Sequence, residues 1–510
     1  MSSAESQTAE IDGPRRALIT VSVMLASIMS SLDTTIANVA LPRIQGSVSA
    51  TQDQMAWVLT SYIVAAAIMT PLGGWLAGQI GRKRVFLYSV AGFTVASMLC
   101  GVAQSLPQIV LARLAQGLCG AALVPLSQAV LLDINPPARH ARAMAVWVMG
   151  VTLGPIIGPA LGGWLTENYN WRWVFYINVP FGILAFLGIL SFLPEAAAIR
   201  KSRFDFFGFT ALSLGIAAFQ IMLDRGQLKD WFSSTEIWIE ATVAAVAFYL
   251  FVIHMLTTTQ QRFVSPALFK DRNFLTGNVF IFVVGAVLYA TLALLPPLLQ
   301  DLLNYPVVTT GLVTAPRGVG TLVAMFVVGR MIGKVDIRLI IGTGFALSAF
   351  ASWQMTGFDL QMDSAIVVWS GFSQGLGTGF VYVPLAAATF ATLTPALRDE
   401  GTAIFSLTRN LGSSIGISVV NVLLTRNTQI MHATLGEHVT RYSPVLRAQL
   451  PGGPPSLRTL AGLNATVTDQ AAMIAYNNDF KLMMVLSLAA IPLVFLLRKG
   501  GGSAEPVHIE

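Results

Sequence analysis

The stretch "SIMSSLDTTIANVALPRI" (Ser27–Ile44) contains one carboxylate, Asp33, in a run that is otherwise uncharged between Arg16 and Arg43. A run of this length and apolarity predicts a helix that crosses a membrane. A charged side chain at the centre of a bilayer costs about 3 kcal/mol or more, and such residues are usually functional. The stretch therefore predicts both a membrane-spanning fold and a first candidate site residue.

The composition of the whole chain agrees with this interpretation. Hydrophobic residues make up 54% of the 510 residues and charged residues only 11%, whereas soluble proteins carry about 25% charged residues. Long apolar runs recur from end to end, which favours α-helices over the alternating short strands of a β-barrel. The sequence thus predicts an all-α polytopic membrane protein.

Hydropathy and charge together predict the topology. Lys and Arg are concentrated in the segments that are predicted to lie on the same side of the membrane as the N-terminus, for example Arg82–Arg84. Cytoplasmic loops are enriched in these residues, so we expect both termini in the cytoplasm. The net charge of +6 then reflects topology and not nucleic-acid binding. The fourteen predicted spans are 17–39, 54–78, 84–104, 107–131, 141–165, 172–193, 205–224, 236–257, 274–299, 308–331, 337–357, 364–391, 402–425 and 481–497.

A faint internal repeat divides these spans into two halves. The turn "GGWLAGQIGRKRV" (Gly73–Val85) is similar to "VVGRMIGKVDIRL" (Val327–Leu339), and two related halves around a central site are typical of secondary transporters. The predicted divisions are a cytoplasmic tail at 1–16, a six-helix half at 17–193, two inserted helices with flanking loops at 194–273, a six-helix half at 274–497 that includes an exterior loop at 426–480, and a cytoplasmic tail at 498–510.

Asp33 has a predicted partner in Arg113 of the fourth span. Asp33 lies about 24 Å of helical rise from Ala17, and Arg113 about 9 Å below the outer end of its span. These depths match in a hydrocarbon core about 30 Å thick, so the two charges should pair or share a cavity. We hypothesise that Asp33 carries a proton and that Arg113 modulates it. The alternative is a static salt bridge that fixes helix register.

Small residues recur every four positions in "GVTLGPIIGPALGGW" (Gly150–Trp164). This period places them on one helix face, where a second helix can approach closely, and the prolines remove backbone donors and bend the helix. The pattern predicts a flexible packing seam that shapes the outer gate; ordinary small-residue packing is the alternative. This gating seam comprises Gly150, Gly154, Pro155, Gly158, Pro159, Gly162 and Gly163.

Four polar residues are candidates to line a substrate cavity: Asn38, Gln128, Arg317 and Arg409. No acidic residue is expected deep in the second half, since Asp301 lies at an outer helix end. The two cations would therefore contact an anionic substrate or bond the carbonyls of broken helices. The sequence contains no Walker loop, HExxH or GxSxG motif, so we expect no enzymatic activity and no cofactor, with a proton gradient as the energy source.

Several motifs resemble those of the major facilitator superfamily, in particular its 14-span drug:proton antiporter branch. They are "LDTTIANVALP" (32–42), "RLAQGLCGAALVP" (113–125) and "GPIIGPALGG" (154–163). The segments "VPLSQAVLLDINPPAR" (124–139), "WRWVFYINVPFGI" (171–183) and "IMLDRGQLKDWFSSTEI" (221–237) resemble the EmrB-type subgroup. The resemblance implies a bacterial inner-membrane exporter of hydrophobic toxic compounds that works with a membrane-fusion adaptor and an outer-membrane channel.

The chain departs from this family at the turn between the second and third spans. Gly78 stands where the family usually has an acid, and Gln79 where it usually has a basic residue. The remaining latch residues that the resemblance implies are Gly74, Gly81, Arg82 and Arg84. We expect Asp133, at the inner end of span four, to replace the missing acid by pairing with Arg82 or Arg84.

The sequence therefore predicts a proton-coupled antiporter of the major facilitator fold that exports amphipathic toxic compounds, hydrophobic weak acids among them. Three alternatives remain open. The chain could export one metabolite, lipid or siderophore; it could be a non-transporting scaffold or sensor, with Asp33 and Arg113 dispensable; or it could be a passive channel, with flux independent of a proton gradient.

Overall fold

The apolar runs of the sequence form long α-helices. A computed structural model describes residues 12–50, 52–136, 139–195, 204–258, 263–394, 397–439 and 457–497, and the regular secondary structure of these residues is helical. The predicted terminal tails fall almost entirely outside these ranges, as do most of the loop after span six and the middle of the predicted exterior loop.

The described residues between Gly13 and Phe192 form eight α-helices. The helices α1 and α2 are long and continuous, whereas the fourth predicted span is interrupted at Ala121–Ala122 and forms two helices. The bounds are α1 Gly13–Val48, α2 Gln52–Ile80, α3 Arg82–Val102, α4 Leu106–Gly120, α5 Leu123–Asp133, α6 His140–Asn168, α7 Trp173–Tyr176 and α8 Asn178–Phe192.

Ten helices follow in the described residues of the remaining chain. Ala315 separates two of them where the tenth span was predicted, and a π-helical turn (Leu298–Leu302) follows two prolines at the end of another. The bounds are α9 Phe206–Arg225, α10 Thr235–Thr257, α11 Ala267–Lys270, α12 Arg272–Pro297, α13 Val307–Thr314, α14 Pro316–Met331, α15 Ile337–Met355, α16 Ser364–Phe390, α17 Arg398–His438 and α18 Leu457–Leu493.

Each of the fourteen predicted spans overlaps at least one of these helices. In the described ranges, ten helical segments are long and apolar enough to cross a membrane by length and composition. The fold is therefore an all-α polytopic one, and the number of crossings stays a prediction.

The described residues of the predicted exterior loop at 426–480 are almost all helical. Helix α17 continues to His438 and α18 begins at Leu457, 24 residues before the predicted start of the last span at 481. The two extensions meet where His432 Nε2 lies 3.0 Å from Asn464 Oδ1. The start of α18 is mostly exposed, and polar residues such as Arg458, Asn464 and Asp469 interrupt the apolar ones. These polar residues lower the mean hydropathy of this part of the helix.

The two predicted halves contain similar helix pairs. In the first half α1 packs along α6, and in the second half α12 packs along α17. Helices α9 and α10 pack on each other, and α9 also packs on α2. The halves meet where α17 contacts α2 and α5, and where α6 contacts α13, α14 and α16. One apolar core runs through both halves, and each half has a further apolar cluster of its own.

Candidate functional site

Asp33 and Arg113 form an ion pair in the interior of the first half. Arg113 Nη1 lies 2.6 Å from Asp33 Oδ2, and the two side chains are 1% and 0% exposed. The Arg113 guanidinium also donates from Nε to the carbonyl oxygen of Val58 at 3.2 Å and lies 4.3 Å from the Tyr62 ring centroid. Thus α1 and α4 bring the two residues together as one ion pair, and both side chains are shielded from solvent.

Two amides complete the surroundings of the Asp33 carboxylate. Gln116 Nε2 and Asn178 Nδ2 donate to Asp33 Oδ1 at 2.9 and 2.8 Å. Gln116 Oε1 also accepts from Arg113 Nη1 at 2.8 Å, and Asn178 Nδ2 lies 2.9 Å from Ser97 Oγ. Sequence reasoning did not identify Gln116, Asn178 or Ser97. The position of Gln116 one helical turn after Arg113 was a usable signal.

The glycines of the predicted gating seam face the helix that carries Asp33. A Cβ atom at Gly154 would lie 2.5 Å from the carbonyl carbon of Ser31, and one at Gly158 would contact Thr35 Oγ1. Gly150 and Gly162 likewise face α1, against Met24 and Ile36.

The close approach of α6 to α1 allows bonds between the two helices. Ser31 Oγ donates to the Val151 carbonyl at 2.5 Å, and Thr35 Oγ1 donates to the Gly154 carbonyl at 3.1 Å. Gly163 is buried, and the side chains of Pro155 and Pro159 lie outside the described part of this helix. The gating role of this seam stays a prediction.

The predicted latch residues lie where the two halves meet. Arg82 forms ion pairs with Asp133 of α5 and with Asp399 of α17, the latter at 2.8 Å. Arg398 Nη1 lies 2.8 Å from Asp133 Oδ1. The result is a four-residue charge cluster that joins the first half to the second through Arg82, Asp133, Arg398 and Asp399.

The glycines of this turn allow the approach. Gly81, between α2 and α3, has a φ of 90°, a conformation that favours glycine. A Cβ atom at Gly74 would lie 3.2 Å from the carbonyl oxygen of Asp399. Arg84 pairs with Glu195 at 3.0 Å and not with Asp133; both members of that pair are mostly exposed. Of the two predicted partners of Asp133, Arg82 makes the contact, because Arg84 lies on another face of α3.

A cleft lies between α6 and helices of the second half. Arg317 and Arg409 line it, as expected for two of the four cavity candidates. Arg409 Nη1 donates to the Tyr382 hydroxyl at 2.9 Å, and Arg317 donates to Gln374 Oε1. Among the described residues, neither guanidinium has a carboxylate within ion-pair distance.

The other two candidates lie elsewhere. Asn38 is exposed on α1, and Gln128 is fully buried in α5 with its Nε2 at 3.8 Å from Met144 Sδ. Neither belongs to the residues that line the cleft.

One expectation about acidic residues was wrong. Asp479 lies inside α18, is 0% exposed, and both its carboxylate oxygens lack a hydrogen-bond partner. It was assigned to the exterior loop at 426–480 because the last predicted span began only at residue 481, whereas the helix begins at Leu457. In the described ranges, no group of three or more His, Cys, Asp or Glu side chains is arranged to hold a metal ion.

The family model "Major Facilitator Superfamily" matches residues 23–417. The chain belongs to the major facilitator superfamily. It is a membrane transporter of this family.

Related proteins match along nearly the whole chain. The fatty acid resistance protein FarB of Neisseria gonorrhoeae is 37% identical over 502 residues, covering 96% of this chain and 99% of FarB. The multidrug export protein EmrB of Escherichia coli K12 is 36% identical over 511 residues, covering 98% and 100%. The crystal structure of the human organic anion transporter MFSD10 superposes with a TM-score of 0.59 at 16% identity, covering 93% of this chain, and shows the same fold.

Proposed function

We propose that this transporter is a proton-coupled antiporter that exports hydrophobic and amphipathic toxic compounds, including drugs, uncouplers and weak acids. The observation that carries the proposal is the fully buried Asp33–Arg113 pair, in which a carboxylate lies in a membrane-spanning helix. Intramembrane carboxylates commonly serve as proton relays. The resemblance to multidrug export proteins supports the substrate class.

The packing of α6 suggests how substrate and proton are coupled. Val148 and Val151 of this helix line the cleft, while the Val151 carbonyl accepts a hydrogen bond from Ser31 of α1. Ser31 is two residues from Asp33. A substrate that displaces α6 therefore acts on the helix that carries the proton, and the small residues of the seam permit the two helices to slide.

Neutralising Asp33 changes the bonds around it. The ionised carboxylate accepts bonds from Arg113, Gln116 and Asn178. Protonation removes the charge that these donors stabilise, so it weakens the link between α1 and α4 and favours rearrangement. In this proposal substrate binding releases the proton and proton binding from outside resets the transporter.

The remaining parts of the proposal rest on the relatives and on charge distribution. We place the protein in the bacterial inner membrane with both termini in the cytoplasm, as the distribution of Lys and Arg indicates. The full-length similarity to EmrB supports a tripartite assembly with a periplasmic membrane-fusion adaptor and an outer-membrane channel. We propose no enzymatic activity and no cofactor.

The test is transport by the purified full chain in proteoliposomes. We expect an imposed proton gradient to drive accumulation of chloramphenicol by the wild type and not by Asp33→Asn. Asp230→Asn, which changes an exposed carboxylate between α9 and α10, is the matched control and should behave as wild type.

Other outcomes favour the alternatives. Full proton-driven transport by Asp33→Asn would overturn the role of Asp33. Flux that ignores the gradient would indicate a channel, and the absence of transport despite binding would indicate a scaffold or sensor.

A further inference from the structure

The two halves contain the same short motif at equivalent helix contacts. It reads "AQGL" at 115–118 in α4 and "SQGL" at 373–376 in α16. In each case the glycine packs on a backbone carbonyl of a neighbouring helix: Gly117 on Tyr62 of α2, and Gly375 on Arg317 of α14. The glutamine before each glycine therefore occupies an equivalent place in the two halves.

The two glutamines also make the same kinds of bonds. Gln116 Oε1 accepts from Arg113, and its Nε2 donates to Asp33 of α1 at 2.9 Å. Gln374 Oε1 accepts from Arg317, and its Nε2 donates to Thr291 Oγ1 of α12 at 2.9 Å. Each half thus has an arginine, a glutamine and a third residue on its first long helix.

The third residue is what differs. The first half has the Asp33 carboxylate at this place, and the second half has the Thr291 hydroxyl. Arg317 is therefore a guanidinium with 5% exposure that has no carboxylate within ion-pair distance among the described residues, and its Nε lacks a partner. An unpaired buried charge is unfavourable, and this one lines the cleft between the halves.

We propose that the carboxylate of an amphipathic substrate binds to Arg317 in the cleft and supplies the negative charge that Asp33 supplies to Arg113 in the first half. The inference rests on the proposed function only in requiring that substrates enter this cleft. Arg409, whose guanidinium donates to the Tyr382 hydroxyl, lines the same cleft and supplies a second positive charge.

The walls of the cleft fit the rest of such a ligand. Trp147 and Val148 of α6 form an apolar wall from the first half, and Leu288 and Leu292 of α12 form another from the second. The cleft is lined mainly by apolar side chains with a few polar groups among them, as sites for small organic ligands commonly are. A hydrophobic carboxylate would place its head at the cations and its chain along these walls.

The first experiment compares a carboxylate with its neutral analogue. Binding of decanoate and of 1-decanol to the purified full chain is measured by calorimetry in detergent, at alkaline pH where decanoate is ionised. We expect Arg317→Gln to weaken decanoate binding about tenfold or more, as for the loss of a charge-assisted hydrogen bond, with a much smaller effect on 1-decanol.

A matched control lies on the same helix. Arg330 is exposed and bonds only its own helix, to the Phe326 carbonyl, so Arg330→Gln should bind both ligands as wild type does. Equal weakening of decanoate and 1-decanol by Arg317→Gln would mean that Arg317 only shapes the cleft, and would overturn the proposal.

The second experiment keeps Arg317 and supplies the missing carboxylate. We expect Thr291→Asp to give Arg317 an internal partner, as Asp33 gives Arg113, and to weaken decanoate binding about tenfold or more. Thr291→Asn, similar in size but neutral, should retain it. If Thr291→Asp kept the decanoate affinity of the wild type, the positions of Asp33 and Thr291 would not be equivalent.

These outcomes are separable from failure of the proposed function. Decanoate binding that depends on Arg317, in a protein without proton-driven transport, would support the binding site and contradict the antiporter function. If the protein shows proton-driven transport but neither variant changes decanoate binding, the antiporter function would be supported and the binding site contradicted.

Discussion

The buried polar groups of the two halves make the same kinds of bonds and are charged differently. Arg113 shares α4 with Gln116, whereas Arg317 reaches Gln374 of α16 from the neighbouring helix α14. In the first half Arg113, Gln116 and Asp33 form a closed set in which both charges are paired. In the second half Arg317, Gln374 and Thr291 have the same order of bonds without the carboxylate. The positive charge of Arg317 is left to face the cleft.

The difference separates two tasks. A charge that has an internal partner is not available to ligands. Such a pair can respond to a proton, since protonation of the carboxylate removes one of its two charges. A charge without an internal partner is available to an anion from outside the protein. A duplicated architecture can thus hold a proton site in one half and a ligand site in the other.

The same substitution in the two halves tests this comparison most strongly. We expect Arg113→Met to lower the free energy of unfolding by about 3 to 5 kcal/mol, because it leaves the Asp33 charge buried and unpaired. Arg317→Met should be near neutral or stabilising, because it removes a charge that has no carboxylate partner. Urea unfolding in detergent, followed by tryptophan fluorescence, measures both; equal losses would break the comparison.

The glycine contacts should behave alike in the two halves. A Cβ atom at Gly154 would lie 2.6 Å from the Leu32 nitrogen, and one at Gly416 would lie 2.6 Å from the Ala286 carbonyl oxygen. We expect either Gly→Ala change to cost about 1 to 3 kcal/mol in the same unfolding experiment, because backbone must shift. Gly342→Ala, with nothing within 4 Å, is the control and should stabilise by up to about 1 kcal/mol. A cost at only one of the two contacts would show that the halves pack differently.

The charge cluster between the halves should give the smallest effect. Each of its partly exposed ion pairs is worth about 1 kcal/mol or less. We expect the double variant Arg82→Asp with Asp133→Arg to recover stability only in part, because Arg398 and Asp399 then face like charges. Adding Arg398→Asp and Asp399→Arg should complete the recovery, as measured by the urea midpoint. Full recovery in the double variant would mean that Arg398 and Asp399 contribute nothing.

The sequence predicted the parts of the structure that depend on local composition. The helical membrane fold follows from the length of the apolar runs, because a backbone in hydrocarbon must satisfy its own hydrogen bonds. The pairing of Asp33 with Arg113 follows from the helical rise, which places the two charges at one depth. The missing acid at Gly78 also predicted that Asp133 pairs with Arg82 or Arg84, and the structure shows the contact with Arg82.

Other features were missed because they depend on contacts between segments distant in the chain. The start of α18 at Leu457 and the burial of Asp479 were not predicted, because an amphipathic helix has low mean hydropathy. Arg398 and Asp399 were not linked to Arg82, since nothing in their local sequence shows which helix they approach.

The sequence by itself therefore determined the fold class, the intramembrane ion pair and the glycine face of α6, since each follows from hydropathy or from helical periodicity. Only the tertiary structure decided that Gln116 and Asn178 bond Asp33, that Gln374 repeats the role of Gln116, and that Arg317 lines a cleft without a carboxylate. The physical reason is that hydrogen-bond partners and burial are set by the packing of helices whose bonded residues lie 57 to 145 positions apart in the chain, which no local pattern contains.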